Sequence, residues 1–381
     1  VEISTSKGGQ VVLVEGSAEL QRRAAEAAKA ALVELSRAHL DAVERAGLTH
    51  PLAMLFDLAD PATKDSVLRV RSHAELAGVP ILGFARFPDE VMFQEIFWWG
   101  MDDLVSSAST HGLTERLRAL ASRATPPSER SGGLVIIEGA DRGFRVQMAR
   151  VFANTRHAVR FAVDEGEALK EAAAPGVALV VSAAPHDAHA ALTVLSARSQ
   201  GIEVPWLVGM APRDETTLRR RLHGVEHTGV FDMYAPPENA LFLANELRRP
   251  SGVESRRAAR VLYSAVVRFR VAGSDEDELA LTYNVSTSGI YVRTLATLPA
   301  GAEVWLELRP PRSERTVRLH AKVAWARPFG QSHSAVMPPG MGLALMGEGP
   351  DRELYQRGVR TYAEAHGYSH EDAPFRREDA R

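Results

Sequence analysis

Three arginines stand within five residues at RRAAR (256–260), and a short polar run, NVSTSGIYV (284–292), begins 24 residues after Arg260. A guanidinium group is a planar fork of donors that can grip a phosphate, or the O6/N7 edge of a guanine, in bidentate fashion. Arg256, Arg257 and Arg260 therefore supply the charge for an anion site. Within the second run, Asn284 carries an amide, Ser286 a hydroxyl, and Gly289 no Cβ. Alone, RxxxR in an arginine-rich chain is a solvated basic turn, and NxSxxG marks only a turn. Their order and spacing are what make them a candidate site.

Other constellations carry less. His366 and His370 have the spacing of metal ligands but no third partner in the sequence, so they read as a solvated pair. His186 and His189, with Asp187 between them, read as exposed loop residues near Ser182. The chain has no cysteine, which excludes disulfides, thiol catalysis and thiolate metal sites and suits a reducing compartment. No nucleophile elbow, Walker loop or dinucleotide fingerprint occurs, so neither an enzyme, nor a cofactor, nor a metal is expected. Lys+Arg 45 nearly balances Asp+Glu 48, for a net charge of −3, which argues against nucleic acid as a partner. Val1 to Gln10 lack the basic-then-apolar pattern of a signal peptide. No apolar run approaches the roughly 18 residues that span a bilayer. A soluble, cytoplasmic protein without membrane insertion is expected.

The elements that must position these residues follow from patterning. A chain of 381 residues holds two or three domains, each with its own core. Short apolar runs at Val11–Val14, Leu52–Phe56 and Val79–Phe84 read as buried strands, with helices at Leu20–Ala30 and Thr114–Ala121. Alternating strands and helices mean a parallel sheet covered on both faces. TPPSERSGG (125–133) is a linker, after which the theme repeats with strands at Leu134–Ile137, Val177–Val181 and Val204–Val208 and a helix at Phe144–Phe152. VLVEGSAE (12–19) matches VIIEGADR (135–142), and VPILGFARFPDE (79–90) matches VPWLVGMAPRDE (204–215), the self-similarity of tandem copies. Beyond Glu254 six strands alternate in period two, at 266–271, 278–282, 290–292, 303–308, 316–325 and 341–346, with a helix at 351–366. The expected domains are therefore 10–124, 134–248 and 254–366, separated first by the linker 125–133 and followed by a charged, frayed tail at 367–381.

Each α/β copy resembles the receiver domain of two-component signalling, which implies a flavodoxin-like five-stranded fold. Receivers join an acidic pair, a phosphoacceptor Asp, a hydroxyl residue and a Lys, so that Mg²⁺ and the phosphoryl oxygens are both neutralised. In the first copy Glu15 is followed by Gly16 instead of a second acid, and Asp57 matches the acceptor position. Phe84 stands near the hydroxyl position and Ser106 or Ser107 where the Lys belongs. The second copy has Glu138-Gly139, Ser182 at the acceptor, Gly209 or Met210 at the hydroxyl and Ala235 at the Lys. Both read as pseudo-receivers, with Ser182 inactive and Asp57 a structural remnant; the alternative for Asp57 is a regulator gated by its phosphorylation. In receivers the helix over VMFQEIFWWG (91–100) belongs to the face used for dimerisation and docking. Phe93, Phe97, Trp98 and Trp99 are thus a candidate interaction surface, with one ring facing outward or into a neighbouring domain; the alternative is that all four are internal.

RRAAR and NVSTSG together resemble the two signatures of PilZ domains, RxxxR and [D/N]xSxxG. The likeness continues through LPAGAEVWLELRPP, VRLHAKVAWARP and GMGLALM to the terminal helix, across 254–363. It implies an antiparallel six-stranded β-barrel with a C-terminal helix and a cyclic di-GMP site made by Arg256, Arg257, Arg260, Asn284, Ser286 and Gly289. Asn284 replaces the more usual Asp, keeping an acceptor but losing a charge. The expected protein is a non-enzymatic cyclic di-GMP effector whose ligand changes interdomain or partner contacts, in motility, polarity or exopolysaccharide control. Protein partners would dock on the pseudo-receivers, at a cell pole or motility complex, or the chain would dimerise. A nucleotide-independent interaction scaffold is the alternative.

Overall fold

The computed structural model describes residues 9–14, 16–45, 51–73, 76, 78–106, 110–122, 133–153, 155, 157–184, 189–248, 260–329 and 337–365. The first α/β domain has strands β1 (Gln10–Val14), β2 (Glu34–Ala38), β3 (Ala53–Asp57), β4 (Ile81–Ala85) and β5 (Asp103–Ser106), with helices α1 (Ala18–Ala31), α2 (Leu40–Arg45), α3 (Thr63–Ser72), α4 (Glu90–Trp99) and α5 (Thr110–Ala121). All pairings are parallel and the order is β2-β1-β3-β4-β5, the flavodoxin-like arrangement. Because successive side chains alternate across a strand, Val12 and Val14 enter the core on the α3–α4 face while Val11 and Leu13 enter the one beneath α1 and α5. That two-sided burial is why the strands are unbroken apolar runs.

The second α/β domain repeats the plan with β6 (Leu134–Glu138), α6 (Arg142–Ala153), β7 (Ala158–Ala162), α7 (Glu165–Ala172), β8 (Val177–Ala184), α8 (His189–Ser199), β9 (Trp206–Met210), α9 (Pro212–Arg221), β10 (Thr228–Asp232) and α10 (Asn239–Leu247). Its strand order, β10-β9-β8-β6-β7, is the same arrangement read from the other edge.

The remaining strands are β11 (Val261–Leu262), β12 (Val266–Val271), β13 (Glu278–Ser286), β14 (Gly289–Arg293), β15 (Glu303–Leu308), β16 (Val317–Arg327) and β17 (Gly340–Met346), followed by α11 (Pro350–Ala365). Six of them close a ring, β13-β12-β15-β16-β17-β14 and back to β13, every pair antiparallel. Closure leaves the ring without free edges, and β11 adds to β13 from outside it. Val267, Phe269, Ala280, Val285, Ile290, Val304 and Leu306 fill the interior, with Tyr355, Val359 and Ala363 of α11 packed into the same core. Gly358 brings α11 close to the chain before β16, because a Cβ there would lie 2.6 Å from the Pro311 carbonyl oxygen.

Two compact units result. One combines the first α/β domain with the barrel, although the second α/β domain lies between them in sequence; the other holds the second α/β domain. Among the described residues no helix is long and apolar enough to cross a membrane.

Candidate ligand-binding face of the barrel

Arg260 runs directly into β11, where Val261 pairs with Val285 and Leu262 with Asn284. The arginine therefore enters the strand at the level of Ser286. Thr282 fixes this path: its buried hydroxyl accepts from Ala265 N at 2.9 Å and donates to the Tyr263 carbonyl. Arg256 and Arg257 lie outside the described residues.

Val285 points into the barrel core, so its neighbours Asn284 and Ser286 face outward together. A bulge between Thr282 and Asn284 resets the alternation to allow this. Both side chains are nonetheless covered, Asn284 to 2% and Ser286 to 6% exposure. The Asn284 amide nitrogen Nδ2 is buried with no hydrogen-bond partner among the described residues. An unmade bond of this kind costs about 1–3 kcal/mol, and it marks the point where a ligand acceptor would be welcome.

The turn beyond the motif is held from two sides. Ser286 Oγ donates to Gly289 O at 3.3 Å. Tyr355 Oη lies 3.0 Å from Ser286 O and 3.2 Å from Gly289 O, and Gln356 Nε2 donates to Thr287 O at 3.2 Å. Burial holds the Tyr355 phenol well above its ordinary pKa, so it remains a donor. Gly289 needs no unusual φ; it is required because a Cβ would stand 2.7 Å from the Leu343 carbonyl oxygen of β17. The tight geometry after the motif is thus a close approach of two strands.

Residues 254–360 match the model of the PilZ domain. This part of the chain is a PilZ domain. Among solved structures, the Bacillus subtilis inhibitor of motility MotI/DgrA shares 20% identity and a TM-score of 0.24, over 30% of this chain and 56% of that one. The chain thus covers little more than half of that protein. The PilZ domain of CeSA from a cellulose-synthesizing bacterium gives 13% identity and a TM-score of 0.21, over 28% of this chain and 95% of that one. A two-component response regulator/GGDEF domain protein gives 17% identity and a TM-score of 0.31, over 63% of this chain and all of that one. No curated protein matches the sequence.

The outer wall of the PilZ domain beside the motif is aromatic, which the sequence reading missed. Asn284 pairs with Tyr291, Tyr291 with Gly342, and Gly342 with Trp325. The rings of Tyr291 and Trp325 stack with centroids 5.1 Å apart. Gly342 makes room for this, since a Cβ there would lie 2.5 Å from the Trp325 indole nitrogen. Tyr291 Oη donates to Pro338 O at 2.5 Å. Nearby, burial depresses the pKa of the half-buried Arg327 guanidinium. The signal available in sequence was the outward phase of Tyr291 and Trp325, visible only once the bulges are known.

Phe93 and Phe97 lie wholly in the core of the first α/β domain, while Trp98 and Trp99 are half-buried. Lys64 Nζ sits 5.0 Å from the Trp98 ring, and Trp99 packs against that same core. Phe97 is covered from the PilZ domain, with Arg293 Cζ 3.6 Å from its ring centroid.

The positions matched above to a receiver's phosphoacceptor are filled by local bonds. Asp57 Oδ2 accepts from Ser17 N and Oδ1 from Ala59 N, each at 3.0 Å, beside Gly16 and the buried Phe84. Ser106 ends β5, and Glu15 and Ser107 fall outside the described residues. In the second domain Ser182 Oγ accepts from the buried Trp206 Nε1 at 2.9 Å. Glu138, next to Gly139, has its pKa pushed up to about 7 by burial and then by Glu165 and Asp164. Gly209 and Met210 close β9, and Ala235 follows β10. His186, Asp187, His366 and His370 are outside the described residues, as is the His189 side chain. Among the described residues no three His, Cys, Asp or Glu side chains form a metal cluster.

Proposed function

We propose that this protein is a non-enzymatic cyclic di-GMP effector whose ligand sits on the outer face of β11, β13 and β14. The observation that carries the reading is the pairing that brings Arg260 alongside Ser286 and the unsatisfied Asn284 amide. A bis-phosphate dinucleotide would give the arginine a bidentate anion and the amide an acceptor. Arg256 and Arg257 would join from the preceding segment, with Gly289 keeping the turn tight. Occupancy would then alter a protein contact, and the PilZ resemblance extends this to motility, polarity or exopolysaccharide control.

Charge-assisted hydrogen bonds are worth about 1.5–3 kcal/mol each, so Arg260→Ala should weaken binding at least about tenfold. Calorimetry on the full chain checks this, and equal affinity in parent and variant would reject the site. One observation favours a second reading, a nucleotide-independent scaffold: the motif side chains are already covered. Titration with cyclic di-GMP up to millimolar concentration without heat would select the scaffold.

A further inference from the structure

Charged groups taken out of water cost several kcal/mol apiece unless their partners go with them. Asp103 and Arg116 of the first α/β domain have side chains 0% and 1% exposed, and Glu278 of the PilZ domain is 13% exposed. Arg116 Nε donates to Asp103 Oδ2 at 2.9 Å. Its Nη1 donates to Gly112 O at 2.9 Å and to Glu278 Oε2 at 2.8 Å, and its Nη2 to Leu279 O at 3.1 Å. Asp103 Oδ2 also accepts from Leu295 N at 2.7 Å and Thr294 Oγ1 at 3.3 Å. Two separate stretches of the barrel therefore meet one buried ion pair.

The surroundings are equally committed. Leu281 and Leu295 point away from the barrel interior and belong to the two cores of the first α/β domain. Gly112 of α5 lies directly against the Glu278 carboxylate, whose Oε2 is 2.9 Å from where a Cβ would stand. Parting these domains would strip Arg116 of Glu278 and the Leu279 carbonyl, and Asp103 of Leu295 and Thr294. Leucines lent to a neighbour's core and a shared ion network describe a domain interior, not a contact that opens and closes. The second α/β domain has its own separate core.

We propose that the first α/β domain and the barrel are one permanently joined body, not two modules that part and rejoin. Hydrogen exchange on the full chain, without ligand, tests this. Leu281→Asp should speed exchange at least tenfold in both α5 and residues 278–282, leaving β6 and β8 unchanged. Glu278→Gln should raise exchange in the same two stretches by a smaller factor. Parent-like protection of α5 in both variants would overturn the proposal.

Discussion

Asp57 uses its carboxylate as a backbone cap, holding Ser17 N on one oxygen and Ala59 N on the other. Asp57→Ala orphans both amides and should cost about 1–3 kcal/mol of stability by denaturant unfolding; a variant as stable as the parent would mean that these bonds carry no weight. The position was legible from LFDLADP, but its bonds to the α1 entrance were not, since they depend on where a loop 40 residues away ends. Ser182 is similar: its place in the repeat was readable, whereas the indole bonded to it comes from Trp206 on the neighbouring strand β9, 24 residues along the chain. Glu138 allows a pH prediction. Its folded pKa, about 7, lies above the ordinary 4.5, so folding favours the protonated form. That stability is full below about pH 4.5 and is lost as pH rises through 7. Glu138→Gln cannot lose it, so the variant's advantage in thermal unfolding of the second domain should be small near pH 4.5 and widest above pH 7. An advantage that stays constant with pH would refute this account.

At the scale of elements, period-two alternation located the barrel well. The runs read at 266–271 and 303–308 coincide with β12 and β15. The run at 278–282 was cut short because the bulge before Asn284 breaks the alternation that defined it. Edge strands β2 and β7, with sequences ELSRA and AVRFA, were missed because half-exposed strands lack the continuous apolar run of central ones. Two-residue β11 has no pattern at all, yet it is the element that brings Arg260 to the motif. The β13–β14 hairpin depends on neighbours rather than on its own turn. Gly289→Ala pushes a methyl group against the Leu343 carbonyl, a backbone atom that cannot rotate away. An overpacked site of this kind typically costs about 1–3 kcal/mol, so the barrel transition should fall. Tyr355→Phe removes the hydroxyl shared by the Ser286 and Gly289 carbonyls and should speed amide exchange in the hairpin while leaving β15 unaffected. Equal exchange in both strands would show that α11 does not brace the turn.

At the scale of the whole molecule, three consecutive modules were legible, but not which of them join. The deciding partners, Arg116 and Glu278, are 162 residues apart, and each alone reads as a solvated surface charge. Their union makes the PilZ domain dependent on a domain that precedes it by more than a hundred residues. Leu281 and Leu295 are both buried against the first α/β domain. Full burial of one leucine is worth about 1.5–3 kcal/mol, so the pair contributes about 3–6 kcal/mol of a total that for most domains is about 5–15 kcal/mol. Residues 254–366 produced alone should therefore melt at least about 10 °C below the barrel transition in the full chain, given about 4–8 °C per kcal/mol for a domain of this size. Replacing 134–248 by a flexible Gly/Ser linker keeps both halves of the dock, and should return the transition to its parent value. An excised barrel that melts like the parent would show that the leucines and the Arg116 network contribute nothing to its stability, and would leave the first α/β domain a mere neighbour.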